Sequence, residues 1–203
     1  MSHTETDGAP ALATTSGMRT PPLADSPALS AKAIQFLSGS KSSLGFEIED
    51  AKCVIPYLRL VSYSAGSYLY REGDDTKTGY MLLLLDGDVS VDTGASGRAD
   101  RVAISVLGPG SLIGEMALVD GAPRSASCTA VTNVQAAGMS HAGLERMAKE
   151  HPGVAFKFMM YMARNTVDRL RALSEQLHMY DQVIASLHQE IAQLRKPGTH
   201  QNG

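Results

Sequence analysis

The sequence has no tryptophan, two cysteines and only 5% aromatic residues in 203. Cys53 and Cys128 are too few for a disulfide scaffold or a cysteine-rich zinc module. They fit a reducing compartment, and a cytoplasmic setting is expected. Apolar runs reach six residues at most, as in Tyr80 to Leu85, far too short to span a bilayer. Met1 to Ala11 has neither a basic flank nor an apolar stretch, so no signal peptide is expected. Neither sign of charge dominates: 18 Lys and Arg against 21 Asp and Glu leave a net charge of −3. No global field draws nucleic acid, and direct DNA binding is not expected.

Histidine is missing where a metal-using barrel needs it. The six histidines are His3, His141, His151, His178, His188 and His200, with none between Phe46 and Ser140. His178 and His188 stand ten residues apart, which does not match metal-ligand spacing. Glu72, Asp74 and Asp75 read as a solvated turn. Serines and threonines are plentiful, but no base is placed to activate one. Gly108-Pro109-Gly110 is a tight turn, too short for a nucleotide-hydrolase phosphate loop. No metal, no cofactor and no enzymatic activity are expected.

What is present divides the chain into regions. Of the first 30 residues, 20 are Ala, Ser, Thr, Pro or Gly and none is aromatic, so residues 1–30 are expected to be a disordered tail. Residues 31–144 read as a domain, opening with short helices over Ala31 to Leu37 and Glu47 to Leu58. From Arg59 to about Met139, short apolar or alternating runs follow one another: Leu60 to Tyr63, Tyr68 to Tyr70, Met81 to Leu85, Val89 to Val91, Val102 to Leu107 and Ser127 to Val131. Glycines at 66, 73, 87, 94, 97, 108, 110 and 121 separate them. This texture predicts a mainly β fold with flanking helices, a jelly-roll-like β-barrel.

After Gly153 there is no glycine or proline until Pro197, and residues 145–196 are expected to be helical, with 197–203 a second tail. The seam Leu170, Leu173, Leu177, Tyr180, Ile184, Leu187, Ile191, Leu194 has spacings 3, 4, 3, 4, 3, 4, 3. These are heptad a and d positions, with Ile or Leu at every a. A helix packed on its own barrel shows a wider stripe, which drifts off such a seam. A parallel coiled-coil homodimer through residues 163–194 is expected. Net charge also divides, −5 through residue 140 (10 basic, 15 acidic) and +2 after it (8 basic, 6 acidic).

One segment of the barrel carries chemistry. Arg124 is the only Lys or Arg between Arg101 and Arg146, and Glu115 and Asp120 are the only acids between Asp100 and Glu145. An arginine in such a stretch needs an anionic partner if buried, either Glu115 or a ligand. Gly114 permits a sharp turn and close backbone approach. Residues 115–118 can form a helical turn whose free N–H groups suit an anion. Arg124 adds a fork of donors and Ser125 a hydroxyl. Glu115, an acceptor, suits a hydroxyl beside that anion. Phosphate next to a free hydroxyl describes a nucleotide sugar.

The stretch Gly114 to Ala126 resembles the phosphate-binding cassette of cyclic nucleotide-binding domains, as in the catabolite activator protein family and protein kinase A regulatory subunits. The resemblance extends upstream through Gly66, Arg71-Glu72-Gly73, Tyr80, Gly87 and Leu107-Gly108-Pro109-Gly110. It implies that Arg124, supported by Ser125, pairs with a 3′,5′-cyclic phosphate, and that Glu115 accepts from the ribose 2′-hydroxyl. Backbone groups of Gly114, Glu115 and Met116 complete the cradle. Ser125 after the arginine leans toward cAMP over cGMP. An ungapped alignment of the following helix puts Asp168-Arg169-Leu170 where the family contacts the base, and names Thr166 and Arg169 as candidates. In place of a C-terminal DNA-binding domain the chain has extra heptads, so an unidentified protein partner is expected to receive the signal. The alternatives are an interaction scaffold whose barrel no longer binds nucleotide, and a cyclic di-GMP receptor using Arg164 and Arg169.

Overall fold

A computed structural model of the chain describes residues 20–39, 46–75, 78–93 and 102–194. They form two units, one ending at Tyr161 and one beginning at Met162. In the first unit, order begins earlier than composition suggested. The Leu60 amide donates to the Pro21 carbonyl at 2.9 Å, Pro22 bridges to Arg59, and Leu23 is fully buried. The expected tail over 1–30 is therefore corrected from Thr20 onward; residues 1–19 lie outside the described residues, as do 195–203. A few apolar side chains suffice there because a strand and a helix receive them: Leu23, Leu29, Ala33 and Leu37 are all buried. The last three lie on one face of α1 (Pro27–Gly39), which opens with proline at its first position.

Helix α2 (Ile48–Val54) starts at a capping box, in which the Glu47 and Asp50 side chains each accept from the other's backbone N–H. A 3₁₀ turn, Ile55–Tyr57, then ends the expected helix before Leu58, which opens the first strand. The strands are β1 (Leu58–Tyr63), β2 (Tyr68–Tyr70), β3 (Tyr80–Asp86), β4 (Val89–Thr93), β5 (Val102–Leu107), β6 (Leu112–Ile113), β7 (Ser127–Ala130) and β8 (Val134–Ser140). They form two antiparallel four-stranded sheets, β1-β8-β3-β6 and β2-β7-β4-β5. The sandwich-like barrel core includes Leu69, Leu82, Leu84, Val89, Ile113, Ala130, Val134 and Ala136. The run Met81 to Leu85 is continuous because both faces of β3 are buried, with α1 packed over that strand.

Two strands escaped the sequence reading, β6 and β8. β8 reads VQAAGMS, poor in β-branched residues, yet it lies between β1 and β3. Small residues suit that place: a Cβ on Gly138 would meet Leu82 at 3.4 Å and Val61 at 3.5 Å. Gly87 turns β3 into β4 at φ +82°, and a Cβ there would lie 2.2 Å from the Asn133 carbonyl oxygen.

The single C-terminal helix expected from residue 145 is two helices, α4 (His141–Glu150) and α5 (Pro152–Leu194). Pro152 forces the break, since the residue before a proline is steered from helical geometry, and His151 sits at φ −138°. The Ser140 hydroxyl caps α4 by accepting from the Gly143 N–H. The first turns of α5 lie in the first unit. Phe158 and Tyr161 form an aromatic cluster with Phe46, and Lys157 donates to Asp50 at 2.8 Å.

Burial raises the Asp50 carboxyl, but the Lys157 hydrogen bond, the Glu47 amide and the Lys157 charge hold it below its ordinary value. A depressed carboxyl stabilises the fold above the ordinary range near pH 4, and that contribution is lost as pH falls through the lowered value. Asp50→Ala is expected to cost about 1–2 kcal/mol at neutral pH by removing the cap and the ion pair. Urea titrations at pH 7 and pH 3 check this, with the difference from wild type shrinking at the lower pH.

The second unit is the remainder of α5. Leu170, Leu173, Leu177, Tyr180, Ile184, Leu187 and Ile191 line one seam and are all exposed, Leu170 at 63% and Leu177 at 64%. Among the described residues no helix is long and apolar enough to cross a membrane.

Candidate functional site

The site is built on the connection between the two sheets, where β6 leaves one and β7 enters the other. Between them lies α3 (Glu115–Asp120), longer than the single turn expected, framed by Gly114 at φ +74° and Gly121 at φ +69°. Left-handed backbone at both ends lets the chain enter and leave a six-residue helix sharply. Ala117 and Leu118 bury one side of α3, while Met116 and Val119 are 51% and 60% exposed. Glu115 is 3% exposed, drawn inward at the first helical position.

Arg124 stands on the return segment. Its backbone is strapped to the connection between β2 and β3, with the Arg124 amide donating to Asp74 O at 3.0 Å and the Gly73 amide donating to Arg124 O at 2.8 Å. The side chain is 2% exposed. Its Nη1 donates to Gly114 O at 2.9 Å and its Nη2 to Tyr80 O at 2.8 Å. The guanidinium carbon lies 4.3 Å from the centroid of the Tyr70 ring and 4.7 Å from that of Tyr80.

Gly114 serves both partners. A Cβ there would lie 2.4 Å from Arg124 Nη1, so the close approach of the guanidinium requires glycine. Gly114→Ala is expected to cost about 1–2 kcal/mol for the left-handed backbone alone, read in a urea melt. It should also displace Arg124; an unchanged unfolding midpoint would show that neither constraint operates.

Gly114, Glu115, Met116, Arg124 and Ser125 are thus gathered in one helix–turn segment. The exposed Ser125 Oγ lies 4.0 Å from Met116 Sδ, and the Asp120 carboxylate accepts from the Ala122 amide at 2.9 Å. Thr166 and Arg169 lie on α5 in the second unit; Thr166 Oγ1 donates to Met162 O at 3.2 Å within its own helix. Arg164 lies 3.9 Å from Asp168. Three buried or half-buried tyrosines were missed as site residues: Tyr63, Tyr70 and Tyr80. Burial pushes all three hydroxyls upward, and for Tyr80 the Arg124 charge opposes that shift. In the sequence Tyr63 and Tyr70 look like ordinary strand aromatics, and Tyr80 is marked only as part of the family resemblance, not as a site residue. Among the described residues, no group of three or more His, Cys, Asp or Glu is placed to hold a metal.

The fold is a β-sandwich of two antiparallel four-stranded sheets, connected through a glycine-framed helix that is followed by a buried arginine. Residues 60–151 match the model of the family described as the cyclic nucleotide-binding domain. The chain is 24% identical over 162 residues to a CRP-like cAMP-activated global transcriptional regulator of Mycobacterium tuberculosis, covering 78% of this chain and 69% of that protein. In structure it is similar to a cyclic nucleotide-binding domain from Methylobacillus flagellatus KT (TM-score 0.65, 25% identity, 77% of this chain and 83% of that one). It also resembles the Thermus thermophilus catabolite activator protein (TM-score 0.56, 26% identity, 68% of this chain and 62% of that one).

Proposed function

We propose that the protein is a non-catalytic, cytoplasmic cyclic nucleotide sensor, selective for cAMP over cGMP, that dimerises through α5 and signals to a partner protein. The observation that carries this reading is Arg124. Its guanidinium is bonded to the carbonyl of Gly114, which opens the glycine-framed helix carrying Glu115 and Met116, and Ser125 follows it in sequence, within residues that match the cyclic nucleotide-binding domain family. Arg124 and Ser125 would bind the cyclic phosphate, Glu115 the 2′-hydroxyl, and backbone groups of residues 114–116 the remaining oxygens. Thr166 and Arg169 are the proposed base contacts. The M. tuberculosis relative is named as cAMP-activated, which supports cAMP, as does Ser125.

Dimerisation is supported by the seam of exposed Leu, Ile and Tyr at heptad spacing over residues 163–194. Because the barrel and the seam share α5, a ligand that binds two helix arrangements unequally would shift the coil and so the partner. Calorimetric titration of cAMP, cGMP and cyclic di-GMP into the purified protein tests the ligand. Binding of cAMP tighter than the others is expected; no binding of any of the three overturns the reading.

One observation favours a second reading, the interaction scaffold. Arg124 is 2% exposed and donates to two backbone carbonyls, as a structural staple does. In that case its removal costs stability and no ligand affinity.

A further inference from the structure

The Arg124 guanidinium is held by more than its own loop. The segment from Tyr70 to Tyr80 grips it twice: Gly73 and Asp74 bond its backbone, while the tyrosines at either end bring their rings to its side chain. Nη2 donates to the Tyr80 carbonyl, so Tyr80 offers both a ring face and an acceptor. The tyrosines are themselves fixed. Tyr70 is 7% exposed at the end of β2, in contact with Cys128, and Tyr80 opens β3 with its hydroxyl bonded to that of Tyr63.

Resting on the cyclic nucleotide reading above, we propose that Tyr70 and Tyr80 are positioning residues for phosphate recognition. Their ring faces hold the Arg124 guanidinium in one plane before ligand arrives. An arginine on a free stem loses rotamer freedom when it meets an anion; one already held by two rings and two carbonyls has little left to lose. The rings attract the cation through their quadrupoles and exclude water from it, which strengthens its bond to a phosphate oxygen. At Tyr70 the ring is the working part, since its hydroxyl is bonded to Cys128; at Tyr80 the hydroxyl, bonded to Tyr63, also bonds the Arg124 guanidinium and so joins the ring in holding it.

Substitution separates ring from hydroxyl. Tyr70→Phe is expected to bind cAMP as wild type does and Tyr80→Phe to lose less than Tyr80→Leu, whereas Tyr70→Leu and Tyr80→Leu each weaken binding about tenfold. A second readout moves only if the rings act through Arg124. The two phosphorothioate diastereomers of cAMP replace one or the other exocyclic phosphate oxygen with sulfur. A fixed guanidinium discriminates between them, and each Leu variant should lower that ratio, whereas a general loosening of the barrel lowers both affinities together. Arg124→Ala is the control and should abolish the ratio. If wild type and Arg124→Ala bind cAMP alike, the nucleotide site itself is misassigned. If Arg124→Ala loses binding and ratio while the Leu variants that fold keep both, the positioning role is wrong. Tyr80→Leu, at a half-buried strand start, decides the matter should Tyr70→Leu fail to fold.

Discussion

Arg124→Ala is expected to weaken cAMP binding by at least about 30-fold while leaving a folded protein. The loss follows from the charge-assisted hydrogen bonds that a guanidinium makes to phosphate, which contribute about 2 kcal/mol or more. Folding is affected less. Truncation leaves the Gly114 and Tyr80 carbonyls without these donors at a cost of about 1–3 kcal/mol each, against a total stability of about 5–15 kcal/mol for a typical domain. Arg124→Lys separates charge from geometry. An ammonium keeps the charge but lacks the planar fork that spans both carbonyls, so an intermediate affinity is expected. Calorimetry and a thermal melt on the same samples check both numbers. Full affinity in a destabilised Arg124→Ala protein would establish the staple and show that the nucleotide is held elsewhere.

The contrast between Arg124 and its holders shows what a sequence exposes. Arg124 stands out because no other Lys or Arg lies within twenty residues on either side, and Gly114 because a turn glycine precedes an apolar run. Such signals are local, and the helix–turn segment they predicted is there as α3. The tyrosine grip is not local. Tyr70 and Tyr80, on strands of different sheets, meet at Arg124, whose backbone is bonded to Gly73 and Asp74. Strand β3 was legible from its apolar run, but β8 was not, since its alanines and glycine answer to neighbours on β1 and β3 rather than to β propensity. Thr20 to Ser30 looked too poor in apolar residues to order, yet the pairing of Pro21 and Pro22 with β1 fixes it. Tertiary partners decided each of these, and periodicity carries no record of them.

The seam on α5 carries the other large effect. Leu177→Asp combined with Ile184→Asp is expected to convert a dimer to a monomer. Light scattering should then report the 21.5 kDa chain mass in place of twice that value. Both residues are at a positions and at least half exposed in the single chain, so a partner helix is what would bury them. In a two-stranded coil the substitutions remove four apolar side chains from the interface, at about 1.5–3 kcal/mol each, and set carboxylates against one another where water is excluded. The helix should loosen with the dimer, because a long exposed helix without a packed face is only marginally stable in water. Far-UV dichroism of the double variant should therefore fall below wild type at equal concentration. Strand direction has its own test. In a parallel coil Leu187 faces Leu187 of the partner, so Leu187→Cys, with Cys53 and Cys128 replaced by serine, should form a disulfide to itself on oxidation. In an antiparallel coil d positions face a positions, and that crosslink fails. A wild-type mass equal to one chain at tens of micromolar would leave the seam without its second copy and end the dimer reading.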